Sequence, residues 1–454
     1  MAEQFDLVII GAGQGGYVAA IEASKNGMHT AIVEKADLGG TCLNHGCIPT
    51  KALLNSVRLY RELKNGGDFG VMADHIALNI EEAYERKDEV VQKLREGIAL
   101  LMEQNEVTVF YDEACIEENH TIYLKKSKER LFAKAVMIAA GGESALPDIP
   151  GIGHQKVYTS ETLLAKPHPD IQSLIIIGGG IIGVEFASIF SGFGYQVTVL
   201  EAKKQILYGM DSDIGRQLKA VLKKQGVKVI TDVHVEKVCD GEAGSVCCIY
   251  NLKGENKILA ADAVLAATGR RSKAETLFLG MQDMPVIKNG CLQVDEHFQT
   301  SVQGIYAIGD VTGKTALAHA ASAQAICAVN AIAGREIPVD KTVIPSCVYT
   351  SPEAACTGIT EDEARAQGYD VIVHKYSMSG NGKSVLTGND RGFIKVVADR
   401  SNHCILGAQM VCERASDMIS EFTMAIVNHL TLTDMAKAVR PHPTYSEAIS
   451  DSLL

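Results

Sequence analysis

The sequence predicts an α/β chain in which a strand, glycine loop, helix and strand occur twice in succession and a smaller α+β region follows. Three observations carry that expectation. DLVIIGAGQGGYVAAIEASKNGMHTAIVEK near the start and SLIIIGGGIIGVEFASIFSGFGYQVTVLEAK in the middle repeat one pattern. Between them, LPDIPGIGHQKVYTSETLLAKPHPD holds four of the 11 prolines, which marks a domain boundary. Pro338 and Pro345 signal a further boundary, after which strand and helix signals mix. The 454 residues leave room for about three domains.

The first unit opens on an apolar strand near Phe5, turns through Gly11, Gly13 and Gly16, and closes on Glu34. The second turns through Gly178, Gly180 and Gly183 and closes on Glu201, and the interval from first glycine to acid is the same in both. A lone GxGxxG says little, but one that follows a strand, opens a helix and ends on an acid at this distance reads as a Rossmann-like dinucleotide-binding unit. The first glycine makes the tight turn, the second admits a pyrophosphate, and the third lets helix and strand pack closely. The helix N-terminus then faces the anion. Two units imply two dinucleotides.

GGTCLNHGCIPTK, residues 39–51, follows the first unit and sets Cys42 five positions before Cys47. The chain has 12 cysteines, and most cysteines of an intracellular protein are small buried hydrophobes. That reading suits the other ten, which show no recurrent spacing. A zinc site needs a second close pair of ligands, and none follows. A structural disulfide fits an oxidising compartment, whereas MAEQFDLVIIGAG carries no secretory leader pattern. A redox-active pair remains. An ideal helix separates residues five apart by about 8 Å between Cα atoms, and a disulfide needs roughly 4.4 to 6.8 Å. The pair therefore closes only across a distorted turn, with Gly46 supplying backbone freedom and Pro49 suiting the first turn of a helix after Cys47. With a redox dithiol beside the first unit, the natural pair of dinucleotides is FAD and a nicotinamide nucleotide.

Further along, the spacing of Val91, Leu94, Ile98 and Leu101 predicts a long amphipathic packing helix. Glu185 stands on the second glycine helix where the first copy has Val18, so nucleotide binding alone does not demand it; a surface glutamate is the bland alternative. GIYAIGDV, residues 304–311, reads as a buried strand ending at Asp310. Thr360 and Glu363 predict a capping box. In RPHPTYSEA, His442 and Glu447 stand together, and thiol exchange needs a base because the thiolate is the nucleophile. The formal net charge of −12 argues against nucleic acid or an anionic membrane as partner. No apolar run approaches the roughly 20 residues of a membrane span. A cytoplasmic protein without a bound metal is expected.

The two glycine motifs, GGTCLNHGCIPTK, AATGR at 266–270, GIYAIGD and HPTYSEA together resemble the pyridine nucleotide-disulfide oxidoreductases with a CxxxxC pair, over essentially the whole chain. GGYVAAI and CLNHGCIPTK are closest to members that oxidise dihydrolipoamide with NAD. The resemblance implies an FAD domain over 1–148, an NAD domain over 149–270, a central domain over 271–338 that completes the FAD site, and a dimer-interface domain over 339–454. Cys47 is then the thiolate against the flavin, and Cys42 exchanges with substrate. Lys51 lies near the flavin and pairs with Glu185, Asp310 binds the flavin side of FAD, and Gly269 belongs to the nucleotide site. His442 takes the thiol proton and Glu447 orients it. The implied partners are a second copy of the chain and a lipoyl-carrying protein. Two alternatives stand beside this reading. A reductase of glutathione-like disulfides commonly uses NADPH with arginines after the second strand, where this chain has Glu201, Ala202, Lys203 and Lys204. A non-catalytic flavoprotein scaffold or redox sensor would not need the full set of Cys42, Cys47, Lys51, Glu185, His442 and Glu447.

Overall fold

The computed structural model describes residues 4–337 and 339–454. The boundary signalled by Pro338 falls outside them. The chain begins with β1 (Gln4–Ile10), α1 (Gln14–Lys25) and β2 (Thr30–Val33), then α2 (Gly40–His45), α3 (Cys47–Lys64) and α4 (Ile80–Gln104). Strands β3 (Thr108–Phe110), β4 (Ala114–Glu117), β5 (Thr121–Leu124) and β6 (Arg130–Ile138) follow. Side by side the order is β3-β2-β1-β6-β5-β4. Strand β1 pairs in parallel with β2 (Ile9 opposite Ile32) and with β6 (Ile9 opposite Met137). Its fully buried Leu7 and Ile9 lie in the core under α1, and Val8 in the core on the other face. A buried strand hydrophobic on both faces is what a parallel sheet demands. Residues Ile305–Ala307 return far along the chain to pair in parallel with the end of β6, so this sheet is finished by a remote segment.

The second glycine unit builds its own parallel sheet, in which Ser173–Ile177 lies between Gln196–Glu201 and Ala263–Ala266. An antiparallel three-stranded sheet, Val233–Asp240, Val246–Leu252 and Glu255–Ala261, covers it. The C-terminal region is a five-stranded antiparallel sheet over residues 346–412, packed against Ala415–Val427. Thr360 and Glu363 form the reciprocal capping box at the helix Glu361–Ala366. Among the described residues, no helix is long and apolar enough to cross a membrane.

The packing helix around Val91 is present as α4, but its buried face is not the one its spacing predicts. Val91 and Ile98 are buried, whereas Leu94 and Leu101 are 41% and 40% exposed. The buried line runs through Ala83, Tyr84, Lys87, Val91, Ile98 and Met102. Along its length α4 serves two cores, giving Ala83 and Tyr84 to the second unit and Val91, Ile98 and Met102 to the first. From Tyr84 to Met102 the buried positions keep the helical period, and Leu94 and Leu101 fall at the edge of that stripe.

Candidate active site

The redox loop lies directly on the first glycine loop. Gly39 donates its N–H to the Ala12 carbonyl at 2.8 Å. A Cβ on Gly40, whose φ is +59°, would come within 2.6 Å of the Gly13 Cα. The glycine pair before Cys42 thus permits a contact that any side chain would block. Gly46 separates α2 from α3 with φ −138° and ψ −108°. It needs no left-handed freedom there; its requirement is space, because a Cβ would meet the Thr41 carbonyl at 3.0 Å and the Cys42 Cα at 3.3 Å.

This break brings Cys42 and Cys47 together as half-buried thiols. The Cys42 thiol donates to the Cys47 sulfur, which pulls Cys47 down to about 7 against the cost of burial, and the nearby Lys51 ammonium adds to the lowering. Cys42, as the donor, is pushed far up, chiefly by that same bond and then by burial. Lys51 stands one turn after Cys47 on α3, so the two side chains share a face. Its Nζ donates to both carboxylate oxygens of Glu185, at 2.9 and 2.8 Å. Glu185 is 3% exposed, not a surface residue, and also accepts the Tyr349 N–H at 3.0 Å.

The two closing acids do the same job in both units. Glu34 accepts the N–H groups of Ala12 at 2.7 Å and Ala36 at 2.9 Å. Glu201 accepts those of Gly179 at 2.5 Å and Lys203 at 2.6 Å. Each carboxylate ties the end of its second strand to the residue after the first glycine. The helices that follow, α1 and Ile181–Gly192, have glycine N-caps, no side-chain cap and no acid in the first turn. By contrast, Asn79 caps α4. Helix N-termini left open in this way fit the phosphates of two dinucleotides.

Asp310 follows the returning strand and pairs with Arg270 Nε at 3.3 Å. Arg270 also meets Glu161 at 3.0 Å and Thr41 Oγ1 at 3.3 Å, and donates to the Gly142 carbonyl. Sequence reasoning reached Gly269, which has a φ of +113°, and overlooked Arg270 beside it; an arginine in the same short motif was the available signal. Tyr349 gave no signal at all.

His442 lies elsewhere. Its Nδ1 is 2.8 Å from Glu447 Oε1, and the Thr444 N–H donates to Glu447 Oε2 at 2.8 Å. The Thr444 amide and then His442 hold the Glu447 carboxyl below its ordinary range. With Nδ1 turned to a carboxylate, Nε2 is left as the proton acceptor. The His442 side chain is 79% exposed, and among the described residues no hydrogen bond or ion pair joins it to the redox loop of its own chain.

A dithiol between two open dinucleotide loops defines a nucleotide-linked disulfide oxidoreductase, and comparison with known proteins agrees. Residues 5–325 match the pyridine nucleotide-disulphide oxidoreductase family, and residues 344–453 match its dimerisation domain. The chain belongs to this family, and it is an enzyme that uses FAD and NAD. Its relatives include the dihydrolipoyl dehydrogenase of Bacillus subtilis, 40% identical over 100% of this chain and 98% of that one. That of Geobacillus stearothermophilus is 36% identical over 98% and 95%. The HOCl-induced flavoprotein disulfide reductase RclA of Escherichia coli superposes with a TM-score of 0.86 at 29% identity, over 99% of both chains.

Proposed function

We propose that this enzyme oxidises dihydrolipoamide carried on a partner protein to lipoamide, with NAD as the final acceptor. The observation that carries the reading is the Cys42–Cys47 pair beside the part-buried Lys51–Glu185 pair, in a chain similar along its whole length to dihydrolipoyl dehydrogenases. In the oxidised enzyme the two cysteines form a disulfide. His442 Nε2 takes a proton from one substrate thiol, and the resulting thiolate attacks Cys42 Sγ. The Cys42–Cys47 bond breaks and Cys47 leaves as a thiolate beside Lys51. The second substrate thiol then attacks the mixed disulfide, closes the lipoyl ring and releases Cys42 as a thiol. FAD, when bound, accepts the electron pair from the enzyme dithiol and supplies the hydride that NAD takes up. The Lys51 ammonium favours the charged Cys47 sulfur, and Glu447 favours the imidazolium of His442.

We divide the chain at 148, 270 and 338, with each glycine unit holding one nucleotide: Gly11, Gly13, Gly16 and Glu34 with Asp310 for FAD, and Gly178, Gly180, Gly183, Glu201 and Gly269 for NAD. The partners are a second copy and a lipoyl-bearing protein. We assign the enzyme to the cytoplasm, where the free thiols outside the redox loop are kept reduced. Steady-state turnover of free dihydrolipoamide with NAD, set beside glutathione disulfide with NADPH, tests the assignment. Faster turnover of the first pair is expected; preference for the second would replace this reading with that of a disulfide reductase.

A further inference from the structure

Tyr349 enters the site from the C-terminal domain. It follows the strand Ser346–Val348, and its backbone N–H is the one donated to Glu185. Its ring faces the Lys51 Nζ at 4.5 Å from the centroid. The ammonium is therefore held by groups from three parts of the chain: its own helix α3, the second glycine helix and the C-terminal domain. These attractions are not equivalent for the neighbouring sulfur. Lys51 lowers the pKa of Cys47, but Glu185 raises it. The two charges work against each other, so the position of the ammonium on its flexible four-carbon stem decides the balance. An aromatic face attracts a cation through its quadrupole while carrying no net charge. A second carboxylate would fix Lys51 equally well and repel the thiolate.

We propose that Tyr349 is a positioning residue of the redox centre, its ring holding the Lys51 ammonium where it stabilises the Cys47 thiolate. This rests on the reading of Cys47 as the electron-relaying thiolate. The groups facing Cys47 are Cys42, Lys51, Glu185 and Tyr349. Cys347 is the other titratable group near Lys51 and Glu185. Burial pushes both the Tyr349 phenol and the Cys347 thiol up to about 12. Neither titrates near neutrality.

The test uses the FAD holoenzyme, reduced by two electrons without oxygen, and follows the long-wavelength thiolate–flavin absorption against pH. Tyr349→Phe keeps the ring and should titrate like the parent. Replacing residue 349 by 3,4,5-trifluorophenylalanine keeps the shape but weakens the ring face, and Tyr349→Leu removes it. Both should raise the midpoint by about half to one pH unit, the size expected for a lost cation–ring contact. In a Lys51→Met background the same exchanges should shift nothing. If the leucine variant does not fold, the comparison of phenylalanine with its fluorinated form decides alone. Equal midpoints for those two, with Lys51→Met still shifting the titration, would overturn the role of Tyr349 and leave that of Cys47 standing. Absence of the absorption in the parent enzyme would overturn both.

Discussion

Cys42 and Cys47 are the same residue type five positions apart, yet their surroundings give them opposite acidities. The hydrogen bond from Cys42 gives one sulfur the proton and the other the charge, and Lys51, one turn along α3, reinforces the choice. Because the Cys47 thiol is lowered from an ordinary 9.0 to about 7, its thiolate should persist down to neutral pH and disappear as the pH falls below it. The thiolate–flavin absorption of the reduced holoenzyme should accordingly have its midpoint near 7, and a midpoint near the ordinary thiol value would contradict this arrangement. Cys42→Ser should keep that absorption and lose turnover, while Cys47→Ser should lose both. The reverse pattern would exchange the two roles. A second carboxylate gives a second prediction. Glu201 sits at the end of its strand, where it can accept from a ribose 2′-hydroxyl and repels a 2′-phosphate. Of the two lysines that follow, Lys203 lies over the Tyr208 ring at 5.3 Å and has an attraction of its own. A kcat/KM for NAD well above that for NADP is expected, and parity would refute the role of Glu201.

Between elements, the position of Lys51 against Glu185 depends on how closely α3 approaches the helix Ile181–Gly192. At their contact a Cβ on Gly192 would stand 2.2 Å from Val57 Cγ1, and a β-branched side chain has little freedom to retreat. Gly192→Ala gains about 1 kcal/mol of helix propensity but overpacks the contact at a cost of about 1–3 kcal/mol. The variant should unfold at lower denaturant concentration than the parent and show weakened thiolate–flavin absorption, because the Lys51–Glu185 pair is pried apart. Val57→Ala in the same chain should recover the absorption; failure to do so would mean that the two helices do not set the pair. None of this contact was legible in the sequence. The glycine loops, their acids and the redox loop could be read because each is a local pattern with a fixed spacing. The exposure of Leu94 and Leu101 could not, since both obey the helical period at the edge of the buried stripe and only the packing of the neighbouring core decides which edge is covered. Arg270 and Tyr349 were missed for a related reason: their partners Asp310, Thr41, Lys51 and Glu185 become neighbours only when separate sheets are assembled.

At the scale of the whole molecule, His442 and the dithiol belong to different parts of the fold. His442 is oriented by Glu447 on its own chain, yet its side chain is largely exposed, and among the described residues no hydrogen bond or ion pair joins it to Cys42 or Cys47 of that chain. Residues 344–453, which carry it, match a dimerisation domain. A two-fold axis through that domain would present each histidine to the partner's dithiol and repeat the arrangement twice. We therefore expect each active site to combine Cys42 and Cys47 of one subunit with the base of the other. His442→Ala should reduce turnover by about 10²- to 10⁴-fold, the usual range for a lost general base, and leave FAD bound. Mixing inactive Cys47→Ser and His442→Ala dimers under conditions that exchange subunits then separates the two arrangements. In a shared-site heterodimer one site collects both defects and the other keeps an intact dithiol and an intact base, so activity returns to about half of the parent per heterodimer, as one of two symmetric sites is restored. If each site is built within a single chain, every site of the heterodimer keeps one defect. Verified heterodimers that stay as inactive as their parents would therefore rule out the shared site.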